Sequence, residues 1–154
     1  MKTSCLLTLS VGLLTAAAGP GKDDPPRGDL EKLRGTWLTV SLVNDGQTVA
    51  DEKTPPAEGA TAKLAYEGNR WLIRVGEKTV AGGTFAIDAT KGPKEIDILD
   101  DTGVKNEKTR LGIYEVDGDT YKYCLAPPGK PRPKDFTSKP GSGASLGVMK
   151  REKR

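Results

Sequence analysis

The sequence predicts an all-β domain, a small antiparallel up-and-down β-barrel of about eight strands, with a β-sandwich as the alternative. Apolar and β-branched residues occur in short runs, many of them alternating with polar residues, and Gly- or Asp-rich turns separate these runs at close spacing. The 154 residues include 19 glycines and 11 prolines. Short strands joined by tight turns favour antiparallel neighbours, and closure into a barrel removes the exposed sheet edges. Turn spacing alone does not separate a barrel from a sandwich.

Length and charge limit the remaining possibilities. A chain of 154 residues supports one domain core rather than two. The net charge is +3, and acidic residues alternate with basic ones along most of the chain. This pattern is typical of a solvated surface, and it lacks the basic stripe that nucleic-acid binding requires. We therefore expect one monomeric domain over residues 29–154 that does not bind nucleic acid.

The N-terminus has the pattern of a signal peptide. Lys2 supplies a positive charge, residues 5–17 are mainly apolar, and small residues occupy positions 16–18. We predict a signal peptide over residues 1–18, cleavage near Ala18, and export to the periplasm or the cell exterior. The apolar stretch is too short to span a membrane comfortably, and residues 19–28 are interpreted as a flexible linker. After cleavage Cys124 would be the remaining cysteine, which we interpret as a small buried residue.

The domain is expected to begin with a helical turn and a strand. Leu30 and Leu33 lie three residues apart behind Asp29, a possible helix cap, so one turn over residues 29–34 is plausible. The first strand is predicted over residues 36–43, after Gly35. Both faces of this strand carry apolar side chains, so alternation does not reveal which one points inward.

The following strands are predicted from apolar runs bounded by turn residues. Gly82-Gly83 lies inside one of them and indicates a bulge or sharp bend. Asp117-Gly118 is the strongest hairpin signal in the chain. Residues 51–59 and 100–108 are polar and are interpreted as loops. Residues 47–50 are interpreted as a short extended piece, and the predicted strands that follow are 62–67, 71–75, 79–88, 95–99, 109–116, 120–125 and 145–151.

A Pro-rich segment over residues 126–144 interrupts this rhythm. Its five prolines exclude an interior strand, and an irregular segment of this length is usually functional or mobile. Lys130, Arg132 and Lys134 make it locally basic. These side chains could bind an anionic polymer or a cell-envelope protein. The alternative, which we favour, is a surface crossover spanning one end of the barrel.

Two resemblances follow from these motifs. Gly35-Thr36-Trp37 resembles the Gly-x-Trp opening of lipocalins and related calycin barrels. There the Trp closes one barrel end beneath a basic side chain of the last strand, which implies Lys150 or Arg151 here.

A broader set of motifs is similar to an exported domain family that is abundant in planctomycete bacteria and has no assigned activity. That resemblance implies a lipocalin-like β domain and leaves its function open. The motifs are LRGTW (33–37), GIYEVDGDT (112–120), CLAPPGKPRP (124–133) and FTSKPGSG (136–143).

Catalytic chemistry has little support in the sequence. The chain contains no histidine, which excludes Ser-His-Asp and Cys-His pairs and the usual zinc sites. Carboxylates cluster at residues 97–101 and at Asp117 and Asp119, and a carboxylate-dependent hydrolase is the corresponding alternative. Asp beside Gly is also what a tight hairpin turn requires. We therefore expect no catalytic site, no metal and no cofactor.

A binding function is the remaining expectation. The first hypothesis is a non-catalytic binding or interaction module at the cell envelope. The second is a carrier of a small apolar ligand in the barrel lumen, since small barrels hold either packed side chains or one small ligand. For so short a chain we favour a filled interior. The aromatic residues that could line a lumen are Trp37, Tyr66, Trp71, Phe85, Tyr114, Tyr121 and Tyr123.

Overall fold

A computed structural model describes residues 25–51, 62–101 and 109–153 of the chain. It shows an all-β protein with one short helix among these residues. The predicted signal peptide, most of the 51–59 loop and residues 102–108 lie outside the described residues. The elements are α1 (Pro25–Leu33), β1 (Gly35–Asn44), β2 (Gln47–Ala50), β3 (Ala62–Glu67), β4 (Arg70–Val75), β5 (Lys78–Asp88), β6 (Lys94–Asp100), β7 (Arg110–Asp117), β8 (Thr120–Leu125) and β9 (Ser145–Arg151).

The strands form a closed antiparallel barrel. From β3 to β9 each strand pairs with the next one in sequence, and β1 pairs with both β3 and β9. The eight strands β1 and β3–β9 therefore make a complete ring, and β2 is an additional strand beside the second half of β1. This confirms the predicted barrel and excludes the sandwich.

A bulge in β1 explains why its inward face could not be identified from alternation. Trp37 pairs with Arg151 and Thr39 with Met149, but the register shifts between Thr39 and Ser41. Beyond the shift Leu42 points into the lumen, although it belongs to the opposite sequence face from Trp37 and Thr39. Both sets of apolar positions therefore contribute to the interior.

The main core lies inside the barrel, and α1 covers one end of it. Leu33 of α1 is fully buried, and Leu30 packs against the same cluster. The helix begins at Pro25, within the segment predicted as a linker, because proline is well tolerated in a first helical turn. The buried residues of this cluster are Leu33, Trp37, Tyr66, Trp71, Phe85, Ile96, Ile98, Tyr114, Tyr121, Leu125 and Met149.

Trp37 lies at the centre of this end. It is fully buried, its indole Nε1 donates to the Leu33 carbonyl at 2.7 Å, and its ring centroid is 5.4 Å from that of Tyr121. The Arg151 guanidinium stacks over the Trp37 ring at 4.2 Å. Arg151 also donates to the carbonyls of Lys32 and Arg34, at 2.6 Å and 2.7 Å. The expected basic side chain over the Trp is thus Arg151, whereas Lys150 is exposed.

Asp29 anchors α1 to the barrel. The prediction that Asp29 caps the helix is wrong, because α1 begins at Pro25 and Asp29 lies within it. Its side chain is buried and accepts hydrogen bonds from Lys94 Nζ at 2.6 Å and Tyr114 Oη at 2.9 Å. Burial alone would raise the pKa of this carboxyl, but the bonds from Lys94, Tyr114 and Lys32 outweigh it and hold the pKa below its usual range. The ionised carboxylate therefore stabilises the folded state.

Replacing Trp37 with Ala should lower the free energy of unfolding by about 3–5 kcal/mol, because a fully buried ring is lost. Urea unfolding followed by circular dichroism measures this loss. Val80→Ala, at an exposed position of β5, serves as the control and should change stability little. A loss near zero for Trp37→Ala would contradict the central role of Trp37.

Asp29→Asn should cost about 1–3 kcal/mol at neutral pH, because Lys94 and Tyr114 lose a charged acceptor. The folded-state pKa of Asp29 lies below its unfolded value, so its contribution is complete above about pH 4 and disappears as the pH falls through the folded pKa. Unfolding of both proteins between pH 7 and pH 2.5 should show the difference shrinking towards acid. A constant difference would contradict this origin.

Candidate functional site

The described residues leave space in the barrel interior at the end opposite α1, and this part of the lumen is called the open half. A cavity of about 270 Å³ lies between the strands there. Strand β6 shows the orientation, because Lys94 at its start contacts Asp29 of α1 whereas Asp100 at its end lines the cavity. Lining residues come from all eight strands of the ring except β5. They are Thr39, Leu42, Ala62, Lys63, Leu64, Tyr66, Trp71, Ile73, Ile98, Asp100, Arg110, Tyr121, Tyr123, Leu125 and Met149.

Aromatic side chains form the floor of the cavity and are fixed by hydrogen bonds. The hydroxyls of Tyr66 and Tyr121 are 2.8 Å apart, and burial raises the pKa of both, so both remain neutral donors and acceptors. Trp71 Nε1 donates to the Leu99 carbonyl at 3.1 Å. Gly83 makes this contact possible, because a Cβ there would lie 2.7 Å from Trp71 Nε1 and 1.9 Å from the Leu99 oxygen. The glycine pair, which was predicted to mark a bulge or bend, thus lets the Trp71 side chain and the Leu99 carbonyl approach the β5 backbone closely. The register shift of β5 lies nearby, at Val80.

Arg110 is the principal charged group of the cavity wall. Its Nε donates to the Ala126 carbonyl at 3.1 Å, and its Nη2 donates to Ser145 Oγ at 2.8 Å and to the Leu125 carbonyl at 3.4 Å. All three acceptors are neutral. No acidic side chain of the described residues lies within ion-pair distance of this guanidinium. Burial lowers the pKa of Arg110, although arginine stays charged at neutral pH.

Two hydroxyl groups share the cavity with Arg110. Tyr123 packs flat against β9, where a Cβ on Gly147 would lie 2.4 Å from its ring. Burial raises the pKa of Tyr123, with Arg110 acting in the opposite direction. Neither the Tyr123 hydroxyl nor that of Thr39 forms a hydrogen bond with another described residue. The wall therefore combines an apolar floor with a cation and two hydroxyls that have spare bonding capacity.

The predicted lumen residues divide between the two halves of the barrel. Tyr66, Trp71 and Tyr121 line the cavity, as does Tyr123. The other three, Trp37, Phe85 and Tyr114, are buried in the main core and are not among the residues that line the cavity. The expectation of a filled interior is therefore wrong for one half of the barrel and correct for the other.

Sequence reasoning missed Arg110, the cation of the cavity wall. Arg110 alternates with Gly112 and Tyr114 along β7, so the inward position of Tyr114 was the signal that could have located it. Arginine counts as a polar residue when a sequence is searched for alternating apolar positions. A prediction of core residues from that alternation therefore leaves Arg110 out.

The Pro-rich segment covers the outer wall of the barrel instead of spanning one end. Phe136 packs with Ile113, Cys124 and Ala144 in a second, smaller core. Cys124 is fully buried, its thiol donates to the Thr137 carbonyl at 3.3 Å, and burial raises the pKa of the thiol. The interpretation of Cys124 as a small buried residue is thus confirmed. This packing gives the segment a structural role.

Arg132 fastens the Pro-rich segment to the barrel. Its Nη1 donates to the carbonyls of Gly112 and Ile96, at 2.6 Å and 3.1 Å, and its Nη2 lies 2.7 Å from Asp97 Oδ1. The side chain is 22% exposed. Lys130 and Lys134, the other two candidate partner-binding residues, are exposed to solvent. Arg132 is therefore committed to the fold, whereas the two lysines face outward.

Most carboxylates of the predicted clusters are paired within the described residues. Asp97 pairs with Arg132, Asp101 with Arg70, and Asp119 with Arg151. Among the described parts of the chain, no group of three or more His, Cys, Asp or Glu residues could hold a metal ion. No helix in these parts is long and apolar enough to cross a membrane.

Replacing Arg132 with Ala should destabilise the protein by about 1–3 kcal/mol, because charged hydrogen bonds to two carbonyls and an ion pair are lost. It should also speed modification of Cys124 by a thiol reagent under native conditions, since the segment that covers the thiol opens more often. Lys130→Ala is the matched control and should leave both values unchanged. Equal labelling rates for the two variants would show that Arg132 does not hold the segment.

Comparisons with known proteins found no match. A scan against models of protein families and searches of curated proteins and of solved structures all returned none. The function proposed below rests on the lumen cavity and on the groups that line it.

Proposed function

We propose that this chain is a non-catalytic binding module whose site is the open half of the barrel lumen, and that it takes one small, mainly apolar ligand. The observation that carries the proposal is the cavity of about 270 Å³ above the floor of Tyr66, Trp71 and Tyr121. Ligand sites are characteristically concave and mostly apolar, with a few convergent polar groups. The open half of this barrel has these properties.

The size of the cavity sets the size of the ligand. Pockets for drug-sized molecules have volumes of about 300–1,000 Å³, so a cavity of about 270 Å³ lies just below that range. At about 30 Å³ per molecule of liquid water, it corresponds to roughly nine waters. A single ring or a medium-length alkyl chain is of this size, whereas a long lipid is not.

The distribution of packing supports a ligand site over an accidental void. Protein interiors are closely packed, and voids larger than a water molecule are few. The half of the barrel next to α1 follows this rule, with Trp37, Tyr114 and Leu33 each at most 1% exposed. The open half is not closely packed, because it contains the cavity. Its floor is nevertheless fixed by the Tyr66–Tyr121 and Trp71–Leu99 hydrogen bonds. A preformed cavity lowers the ordering cost of binding.

Export is the second part of the proposal. It is supported by Lys2, the apolar run of residues 5–17 and the small residues at 16–18. The resemblance to the exported planctomycete family also supports export. An exported barrel of this kind would bind its ligand in the periplasm or at the cell exterior.

Filling the cavity should weaken binding without unfolding the barrel. Ile73 lines the cavity, so Ile73→Phe should weaken binding of 1-octanol and octanoate by about tenfold or more, which corresponds to about 1.4 kcal/mol. Titration followed by tryptophan fluorescence is a suitable measurement, because Trp71 forms part of the wall. Val80→Phe, on the exposed face of β5, is the control and should bind like the wild type. Equal affinities of both variants, or no binding of either probe to the wild type, would contradict a lumen site.

A further inference from the structure

We propose that Arg110 makes the lumen selective for small amphipathic carboxylates, with the carboxylate at Arg110 and the apolar body over the aromatic floor. The inference rests on the proposed function, because it assigns the ligand class of the same cavity. It is carried by the position of a cation that has no acidic partner among the described residues, in the wall of a cavity with a mainly apolar floor.

The first argument is charge. A cation removed from water is costly unless a counter-charge or strong hydrogen bonds compensate it. Arg110 bonds to two carbonyls and one hydroxyl, which orient the guanidinium but supply no negative charge, and no acidic side chain of the described residues forms an ion pair with it. A carboxylate in the cavity would supply the missing counter-charge in a partly desolvated site, where such a bond is stronger than on an exposed surface.

The second argument is the unused bonding capacity beside that charge. The three hydrogen bonds of Arg110 use Nε and Nη2, and Nη1 has no acceptor among the described residues. Tyr123 and Thr39 line the same cavity, and their hydroxyls have no hydrogen-bond partner among the described residues. A carboxylate has two oxygens and about four acceptor positions, so it matches donors of this kind. An alcohol or an amine end group would leave the charge of Arg110 unbalanced.

The other charged side chains of the cavity limit the ligand to one negative charge. Asp100 also lines the cavity, and it lies two residues beyond Ile98, the partner of Arg110 in the β6–β7 register. Asp100 is acidic and so supplies no cation for a second anionic group. Lys63 is paired with Glu152 and so offers no additional free cation. A monocarboxylate fits this arrangement better than a dicarboxylate.

The test compares three probes that share one alkyl chain, namely octanoate, 1-octanol and octylamine, on the full mature chain. Wild-type protein should bind octanoate about tenfold or more tightly than 1-octanol, since the carboxylate adds a charge-assisted hydrogen bond to Arg110, and it should bind octylamine most weakly. Arg110→Gln should remove the preference for octanoate and retain the binding of 1-octanol. Ser145→Ala removes one neutral partner of Arg110 and keeps the cation, so it should retain the preference. Arg110→Lys should retain part of it.

The outcomes separate this inference from the proposed function. If the wild type binds 1-octanol as tightly as octanoate, and Ile73→Phe still weakens both, the lumen site stands and the role of Arg110 is overturned. A full octanoate preference in Arg110→Gln also overturns it. If no probe binds to the wild type, both proposals fail together. Should Arg110→Gln not fold, the probe comparison on the wild type and on Arg110→Lys decides the question.

Discussion

The stacking of Arg151 on Trp37 is the contact on which the closed barrel depends. It joins the last strand to the first, and the same guanidinium donates to the carbonyls of Lys32 and Arg34 at the end of α1. Trp37 in turn donates to the Leu33 carbonyl, so it satisfies one of the carbonyls that a helix end leaves without a partner. Barrel closure and helix docking are thus one cooperative unit, built from two side chains that are far apart in sequence.

The contacts that close the barrel and dock α1 lie at one end of the lumen, and the cavity lies towards the other end. The packed half contains α1, Trp37 and the buried Asp29 with its partners Lys94 and Tyr114. The open half lies beyond the Tyr66–Tyr121 hydrogen bond, which forms the boundary between them. Because the packed half and the strand pairing stabilise the fold, the open half can keep unfilled volume and a cation that has no acidic partner among the described residues. A uniformly filled barrel of the same size would have no room for either.

The sequence predicted the barrel and most of its strands because alternation and turn residues are local signals. It also named aromatic residues that could line a lumen, and four of the seven line the cavity. It could not show the β1 bulge that turns Leu42 inward, since register depends on the partner strand β9. Arg110 was missed for a related reason, because its inward direction follows from the position of Tyr114 rather than from its own polarity. The early start of α1 made Asp29 a buried anchor instead of a cap.

Arg110 also connects the lumen to the Pro-rich segment on the opposite face of the wall. Its acceptors Ala126 and Ser145 lie at the two ends of that segment, one at its first residue and one immediately after its last. On the outside, Arg132 of the segment donates to the carbonyl of Gly112, two residues along β7 from Arg110. The two arginines therefore hold one stretch of wall from both sides. Any movement of the Arg110 guanidinium would therefore alter the contacts at both ends of the Pro-rich segment.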